Sequence, residues 1–291
     1  MTIALFLGCT VPVRAQNYEL SARQVAARLG LEVVDVDGFG CCGYPISSVS
    51  SRASLWMAAR NLALAEAAGG ELVALCSACA ASLSEAKLEL DHDDELRAQA
   101  QKALEQIGLR YEGTARVRHF ARYLYEEVGA ERMAGAVERP LEALSLAVHY
   151  GCHYLKPKRA HQGPDEPEAP HSIESLISAT GAKLVPHPYA LTCCGGGVLA
   201  VRESAALSMA QRKLDAVTEL AADALVSVCP FCSVMYEGNQ KAIEKRTEKK
   251  YGLPVLYLTQ VLGLSFGMDP SDVGIKQNRV KPKALLARLG L

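Results

Sequence analysis

The sequence predicts an α/β protein of two pseudo-repeated domains, each a small, mostly parallel sheet flanked by helices. Three observations predict it. The ten cysteines form two sets of five with one layout: Gly-Cys, then Cys-Cys-Gly, then Cys-x-x-Cys. The sets are Cys9, Cys41, Cys42, Cys76 and Cys79, and Cys152, Cys193, Cys194, Cys229 and Cys232. Short apolar runs lead into the first and fourth cysteine of each set, and stretches of helical periodicity fill the intervals. An internal repeat decides the architecture before any single element is assigned. Strands alternating with helices then imply a parallel sheet in each half.

Residues 3–8 and 146–151 are apolar runs ending at Gly-Cys. Residues 72–75 and 224–228 end at Cys-x-x-Cys. Runs this short, bounded by turn residues, fit buried strands. Residues 18–29 and 173–179 read as helices ahead of extended segments at 32–36 and 183–186. After the first Cys-Cys-Gly, Leu55, Ala59, Leu62 and Ala63 recur at helical spacing; after the second, Leu207, Ala210, Leu214, Val217 and Ala221 do so. The interval from Cys9 to Cys41 is 31 residues and from Cys152 to Cys193 it is 40. From Gly43 to Cys76 it is 32 and from Gly195 to Cys229 it is 33, so apart from an insertion of about nine residues after Cys152 the two halves are in register to within one residue. Both halves close on alignable segments, residues 117–129 and 255–267. The expected domains are 1–140 and 141–291. Residues 91–113 read as a solvated helix and connector, and 162–170 as a loop. Residues 275–291 form a basic tail ending in a short helix, either an interaction surface or a frayed end.

Lys plus Arg is 31 against 32 for Asp plus Glu, a net charge of -1 that offers nucleic acid no attraction. No apolar run reaches the roughly 20 residues that cross a bilayer. The apolar run before Cys9 has no preceding basic residue and is too short for a signal core, so it reads as a first strand. The expected location is cytoplasmic, where clustered cysteines act as metal ligands more often than as disulfides.

Cys-x-x-Cys is often structural zinc, but zinc takes four ligands in a closed tetrahedron and each set holds five. Adjacent cysteines diverge, which suits two irons of one cluster better than one small ion. A redox Cys-x-x-Cys pair would use four of the ten cysteines and leave six idle. Ligand count therefore favours iron–sulfur, with zinc and thiol redox chemistry as the alternatives. Cys9, Cys76, Cys152 and Cys229 fall just beyond strand carboxyl ends, where open parallel sheets place ligands. Gly195, Gly196 and Gly197 would let backbone pass close to a bulky inorganic group.

The pattern Cys-x(31)-Cys-Cys-Gly-x(32)-Cys-x-x-Cys and its repeat resemble the CCG domain. Two copies over nearly the whole chain resemble the B subunit of heterodisulfide reductase and its relatives. The first Gly-to-Cys interval is one residue shorter than that family's usual spacing, which implies a shortened turn. The resemblance implies two noncubane [4Fe-4S] clusters at the strand C-terminal ends, one held by Cys9, Cys41, Cys42, Cys76 and Cys79, the other by Cys152, Cys193, Cys194, Cys229 and Cys232. It implies a catalytic subunit that cleaves, or in reverse forms, a disulfide lying between the clusters. It also implies partners: a ferredoxin-like C subunit and a flavin-containing A subunit. His153 follows a ligand directly and is a candidate catalytic proton donor to a nascent thiolate, or a hydrogen-bond donor to cluster sulfur. Lys156, with Lys158 and Arg159 behind it, is a candidate for binding an anionic substrate group, or a solvated loop residue. The other six histidines have no evident partner. The alternative function is electron transfer to another protein or a quinone without disulfide chemistry.

Overall fold

The computed structural model describes residues 2–161 and 163–291. In it, the duplication seen in the cysteines is a duplication of sheets. The first sheet contains β1 (Thr2–Phe6), β2 (Glu32–Val34), β3 (Glu71–Ala74) and β4 (Arg116–His119), in the order β2-β1-β3-β4. The second contains β5 (Ser145–His149), β6 (Lys183–Leu184), β7 (Ala224–Ser227) and β8 (Val255–Tyr257), in the matching order β6-β5-β7-β8. Every pairing is parallel. The central strands are covered on both faces, which is why they read as unbroken apolar runs and not as alternation.

Crossover helices take the apolar stripes. Leu55, Ala59, Leu62 and Ala63 lie buried on the helix Ser51–Ala67, whose first turn is capped by the Ser50 side chain accepting from the Ala53 N–H. Leu207, Ala210, Leu214 and Val217 lie buried on Glu203–Glu219. Ala221 does not extend that stripe: it sits past the helix end, exposed, in a left-handed turn. The alignable closing segments are equivalent in space. β4 runs into Phe120–Tyr123 and a π turn, β8 runs into Leu258–Ser265, and positive-φ glycines, Gly129 and Gly267, follow.

Neither apolar core belongs to one half. One combines Ile3, Leu5 and Val25 with Leu146, Val226 and Leu262; the other combines Phe6, Leu62 and Leu72 with Ala147, Leu214 and Leu225. The helix Gln16–Arg28 packs on Leu258–Ser265 of the other half. There Tyr18 and Tyr257 stack with centroids 4.1 Å apart, and Ser21 and Thr259 share a 2.6 Å hydroxyl hydrogen bond. Separating the halves would expose both cores, so they stand or fall together. The basic tail is not a frayed end. Asn278 is buried, donates to the Val255 carbonyl at 2.9 Å, and accepts from Asn17 at 3.1 Å and Gln260 at 2.9 Å. It clasps the two halves together.

Candidate functional site

Each Cys-x-x-Cys straddles the start of a helix. Cys76 and Cys229 are helix N-caps in extended backbone (φ -132, ψ 125 and φ -133, ψ 126), and Cys79 and Cys232 lie in the first turns. The positive end of each helix thus faces its thiols, and contact among the sulfurs decides which one ionises: Cys229 is pulled down by Cys232 and Cys76, while Cys76, Cys79 and Cys232 are pushed up. The adjacent cysteines are set by a turn only glycine tolerates. Gly43 (φ 92) and Gly195 (φ 85) are left-handed, and a Cβ would lie 2.6 Å from the Ser54 carbonyl oxygen or 2.9 Å from that of Ala206. Gly8 is equally constrained, because its Cβ would lie 2.8 Å from Cys79 Sγ.

These turns string the thiols into one line. Sulfur contacts run Cys9–Cys41–Cys42–Cys79–Cys76 in the first half. They run Cys229–Cys232–Cys194–Cys193–Cys152 in the second. The two runs join at the middle, where Cys76 Sγ and Cys229 Sγ are 4.0 Å apart. Cys232 to Cys194 is 3.4 Å and Cys152 to Cys193 is 3.8 Å, distances far beyond a disulfide bond, and all ten cysteines are free. Cys9 is exposed, Cys41, Cys152 and Cys193 are half-buried, and the other six are buried. The line therefore surfaces at both ends and is deepest where the halves meet.

So many thiols in contact compete for protons. The Cys79 contact pulls Cys42 down to about 7, and the Cys152 contact pulls Cys193 down to about 2. Burial pushes Cys41 up to about 11, and contact with Cys193 pushes Cys194 up to about 12. Not all ten can ionise unless positive charge is brought among them. Among the described residues, no three or more donors close around a single metal ion. Soft donors in a line, five to a half, with backbone held close by glycine, fit a multinuclear iron–sulfur group better than one tetrahedral ion. Buried polar atoms without a partner among the described residues, Ser77 Oγ, His149 Nε2 and Tyr236 Oη, are consistent with further acceptors or donors at the site.

His153 stands at the second set, with Nδ1 3.4 Å from Cys152 Sγ and its ring edge-on to Tyr44 at 4.8 Å. Tyr44 comes from the other half, directly after the first Cys-Cys-Gly. Burial raises its pKa, and the Cys152 and Cys193 thiolates raise it further. Lys156 is exposed and loosely paired with Glu168 at 3.8 Å. Lys158 pairs with Glu166, and Arg159 reaches Glu85 at 3.9 Å.

The histidines that showed no partner in the sequence have them in the fold. His119 is buried: its Nε2 donates to the Val228 carbonyl at 2.9 Å, and its Nδ1 accepts from the Ala121 N–H at 3.1 Å. Burial lowers its pKa to about 4. Tyr18 donates to the same carbonyl at 3.0 Å, so two first-half side chains brace the residue before Cys229. Arg122 and His161 line a cavity of about 260 Å³ that no cysteine lines. Arg122 donates to the Tyr154 carbonyl at 2.9 Å and props the turn that carries Cys152 and His153.

Two parallel sheets in matching order, with a five-thiol set on each, define a duplicated cysteine-rich-domain protein. The family model for the CCG cysteine-rich domain matches residues 3–84 and again 146–237. The B subunit of a ferredoxin/F(420)H(2)-dependent CoB-CoM heterodisulfide reductase from Methanosarcina acetivorans is 36% identical over 99% of this chain and 96% of its own length. The B subunit of a ferredoxin:CoB-CoM heterodisulfide reductase from Methanosarcina mazei is 35% identical over the same shares. The membrane anchor subunit of an 8-methylmenaquinol:fumarate reductase from Wolinella succinogenes is 32% identical over 94% of the chain and 95% of its own length. The crystal structure of a hypothetical protein from Helicobacter pylori shares the fold, with a TM-score of 0.79 at 20% identity over 96% of this chain and 52% of that one. The chain belongs to the CCG cysteine-rich family, among heterodisulfide reductase B subunits and related iron–sulfur subunits. Among the described residues no helix is long and apolar enough to cross a membrane.

Proposed function

We propose that this chain is the iron–sulfur catalytic subunit of a heterodisulfide reductase-like complex, with one noncubane [4Fe-4S] cluster in each five-cysteine set and disulfide cleavage or formation between them. The observation that carries this reading is the continuous line of ten thiols, pseudo-symmetric about the 4.0 Å contact of Cys76 and Cys229. The bound clusters would supply one electron each to an S–S bond and a metal site for each sulfur. The chain's residues do the rest. The glycine turns hold backbone clear of the inorganic core. The helix starts at Cys76 and Cys229 turn their positive ends toward the thiols. His153 and Tyr44 stand at the second set as groups that can hold or deliver a proton to a leaving thiolate. The ferredoxin dependence of the Methanosarcina relatives supports partners that deliver electrons. Those partners are a ferredoxin-like subunit and a flavin-containing subunit, and the site of action is the cytoplasm.

A second reading is an electron relay to a protein or quinone. The Wolinella relative, a subunit of a menaquinol-dependent reductase, favours it. One experiment separates the two. Protein purified without oxygen should hold about eight irons per chain, the content of two [4Fe-4S] clusters. Adding a disulfide to the reduced protein should oxidise it and give a new paramagnetic signal. Eight irons with no response to any disulfide would leave the relay. Zinc in place of iron would overturn both.

A further inference from the structure

The repeat makes the surroundings of the two thiol sets comparable position by position. Three residues before the first cysteine stand Phe6 in the first half and His149 in the second. Twenty residues after the first member of the adjacent pair stand Asn61 and Lys213. Seven residues after the first cysteine of Cys-x-x-Cys stand Leu83 and Tyr236. All six side chains are buried.

In the first half this shell is neutral. Asn61 serves the Cys-Cys-Gly loop as a strut, donating to the Cys41 carbonyl at 3.0 Å and accepting from the Gly40 N–H at 3.0 Å. In the second half the same shell carries charge and protons. Lys213 is 0% exposed; its Nζ donates to the Thr192 carbonyl at 3.1 Å and to His149 Nδ1. Its Nζ lies 5.3 Å from the centre of the Tyr236 ring, which meets the His149 ring edge-on at 4.9 Å. With Nδ1 accepting, the His149 proton sits on Nε2, and Nε2 has no partner among the described residues. That N–H borders the thiols: the place a Gly151 Cβ would take is 3.4 Å from His149 Nε2 and 3.6 Å from Cys232 Sγ. Burial lowers the Lys213 pKa to about 7 against the opposing pull of the Cys232, Cys194, Cys193 and Cys152 thiolates, so each negative charge added among the thiols favours its protonated form. Among the described residues no carboxylate bonds to Lys213, so its charge answers to the thiols.

We propose that Lys213, with His149 and Tyr236, makes the second five-cysteine site the more readily reduced of the two, so that an electron entering the chain rests there first. A buried cation and an unpartnered N–H near the thiols both favour the more negative, reduced state, and net charge and hydrogen bonding around sulfur are what set such potentials. At the equivalent positions of the first site, Phe6, Asn61 and Leu83 supply neither. Lys213 is a positioning and tuning residue, acting through His149 and through its field.

The inference rests on the two-cluster reading above, and the test keeps the two apart. The experiment is a reductive titration with dithionite and mediators, followed by EPR and iron analysis, on the anaerobic full chain. The variants are Lys213→Asn, which installs the first half's residue, Lys213→Met and Lys213→Arg. Cys194→Ser identifies which reduction wave belongs to the second site. The expected result is that Lys213→Asn and Lys213→Met keep their iron while the second site's wave moves to lower potential. The shift should be about tenfold in the reduction equilibrium, about 59 mV for one electron. The first wave stays in place, and Lys213→Arg stays near the parent. Full iron with both waves unmoved overturns the proposal, as does movement of the first wave instead. Loss of iron from both neutral variants also overturns it, since Lys213 would then be a strut. A parent protein without iron overturns the two-cluster reading itself.

Discussion

Gly43 and Gly195 occupy the same left-handed turn and face the same backbone position of the following helix, while Asn61 and Lys213, on those helices, share a position and nothing else. Where the two halves of the molecule must place sulfur, they agree: strand ends, glycine turns and helix starts coincide. Where they only surround sulfur, they differ: Phe6 against His149, Leu83 against Tyr236, Thr10 against His153 after the first cysteine. Backbone geometry fixes the thiols, so side chains behind them can change charge without moving a ligand. A duplicated scaffold can therefore carry two electrically different sites.

The largest effect expected is loss of a site. Cys42 and Cys194 are equivalent, so Cys42→Ser and Cys194→Ser should each lower iron from about eight to about four per chain. Metal analysis checks it. If either substitution empties the whole chain, the halves are not separate sites and the comparison fails at its base.

Next come the turns. Gly43→Ala and Gly195→Ala force a Cβ into backbone and a strained φ, which should cost about 3 kcal/mol. Gly43→Ala should cost more, because its clash is 2.6 Å against 2.9 Å. Denaturant unfolding of both variants measures the difference, and equal costs would mean that the helix after the first turn yields more easily.

A smaller effect is specific to the first half. His119 ends β4 where Tyr257 ends β8, and burial holds its pKa at about 4 against 6.5 when unfolded. The unfolded chain therefore takes up a proton that the folded chain refuses. Stability is full above pH 6.5 and is lost as pH falls from there toward 4, by about 2 kcal/mol between pH 7 and 5. His161, half-buried and lowered to about 4, adds to the same slope. His119→Phe should flatten part of that slope in denaturant titrations. An unchanged slope would assign it elsewhere.

The fold was legible because the cysteines themselves are periodic and their strands are buried on both faces. Even the closing segments, 117–129 and 255–267, align in sequence as they do in space. What the sequence does not carry is partnership. Apolar stripes say that a face is covered and not by which half, so the shared cores and the clasp at Asn278 were invisible. The charged shell left one trace. Lys213 falls three residues after Ala210 and four before Val217, on the buried stripe of its helix, where a lysine needs a reason. His149, at the end of an apolar strand, was the second half of that signal. Tyr44 left none beyond its place after Cys-Cys-Gly, because its target lies across the molecule.

The smallest effect on stability should come from Lys156, and it tests the contrast at the surface. Four residues past the first cysteine, the halves carry Val13 and Lys156, both exposed. The ion pair with Glu168 is long and solvated, so Lys156→Ala should change unfolding free energy by less than about 0.5 kcal/mol. Its value lies in what else moves. If the second half also receives an anionic substrate, KM for a carboxylated disulfide should rise in Lys156→Ala while kcat holds. Unchanged kcat would mean that the lysine binds ground state and transition state equally, and KM for an uncharged disulfide of similar size should not change, because it has no carboxylate for the lysine to pair with. A rise for both substrates would point to a disturbed loop. No rise for either would leave Lys156 a solvated residue, and would confine the electrical difference between the halves to the buried shell around Lys213.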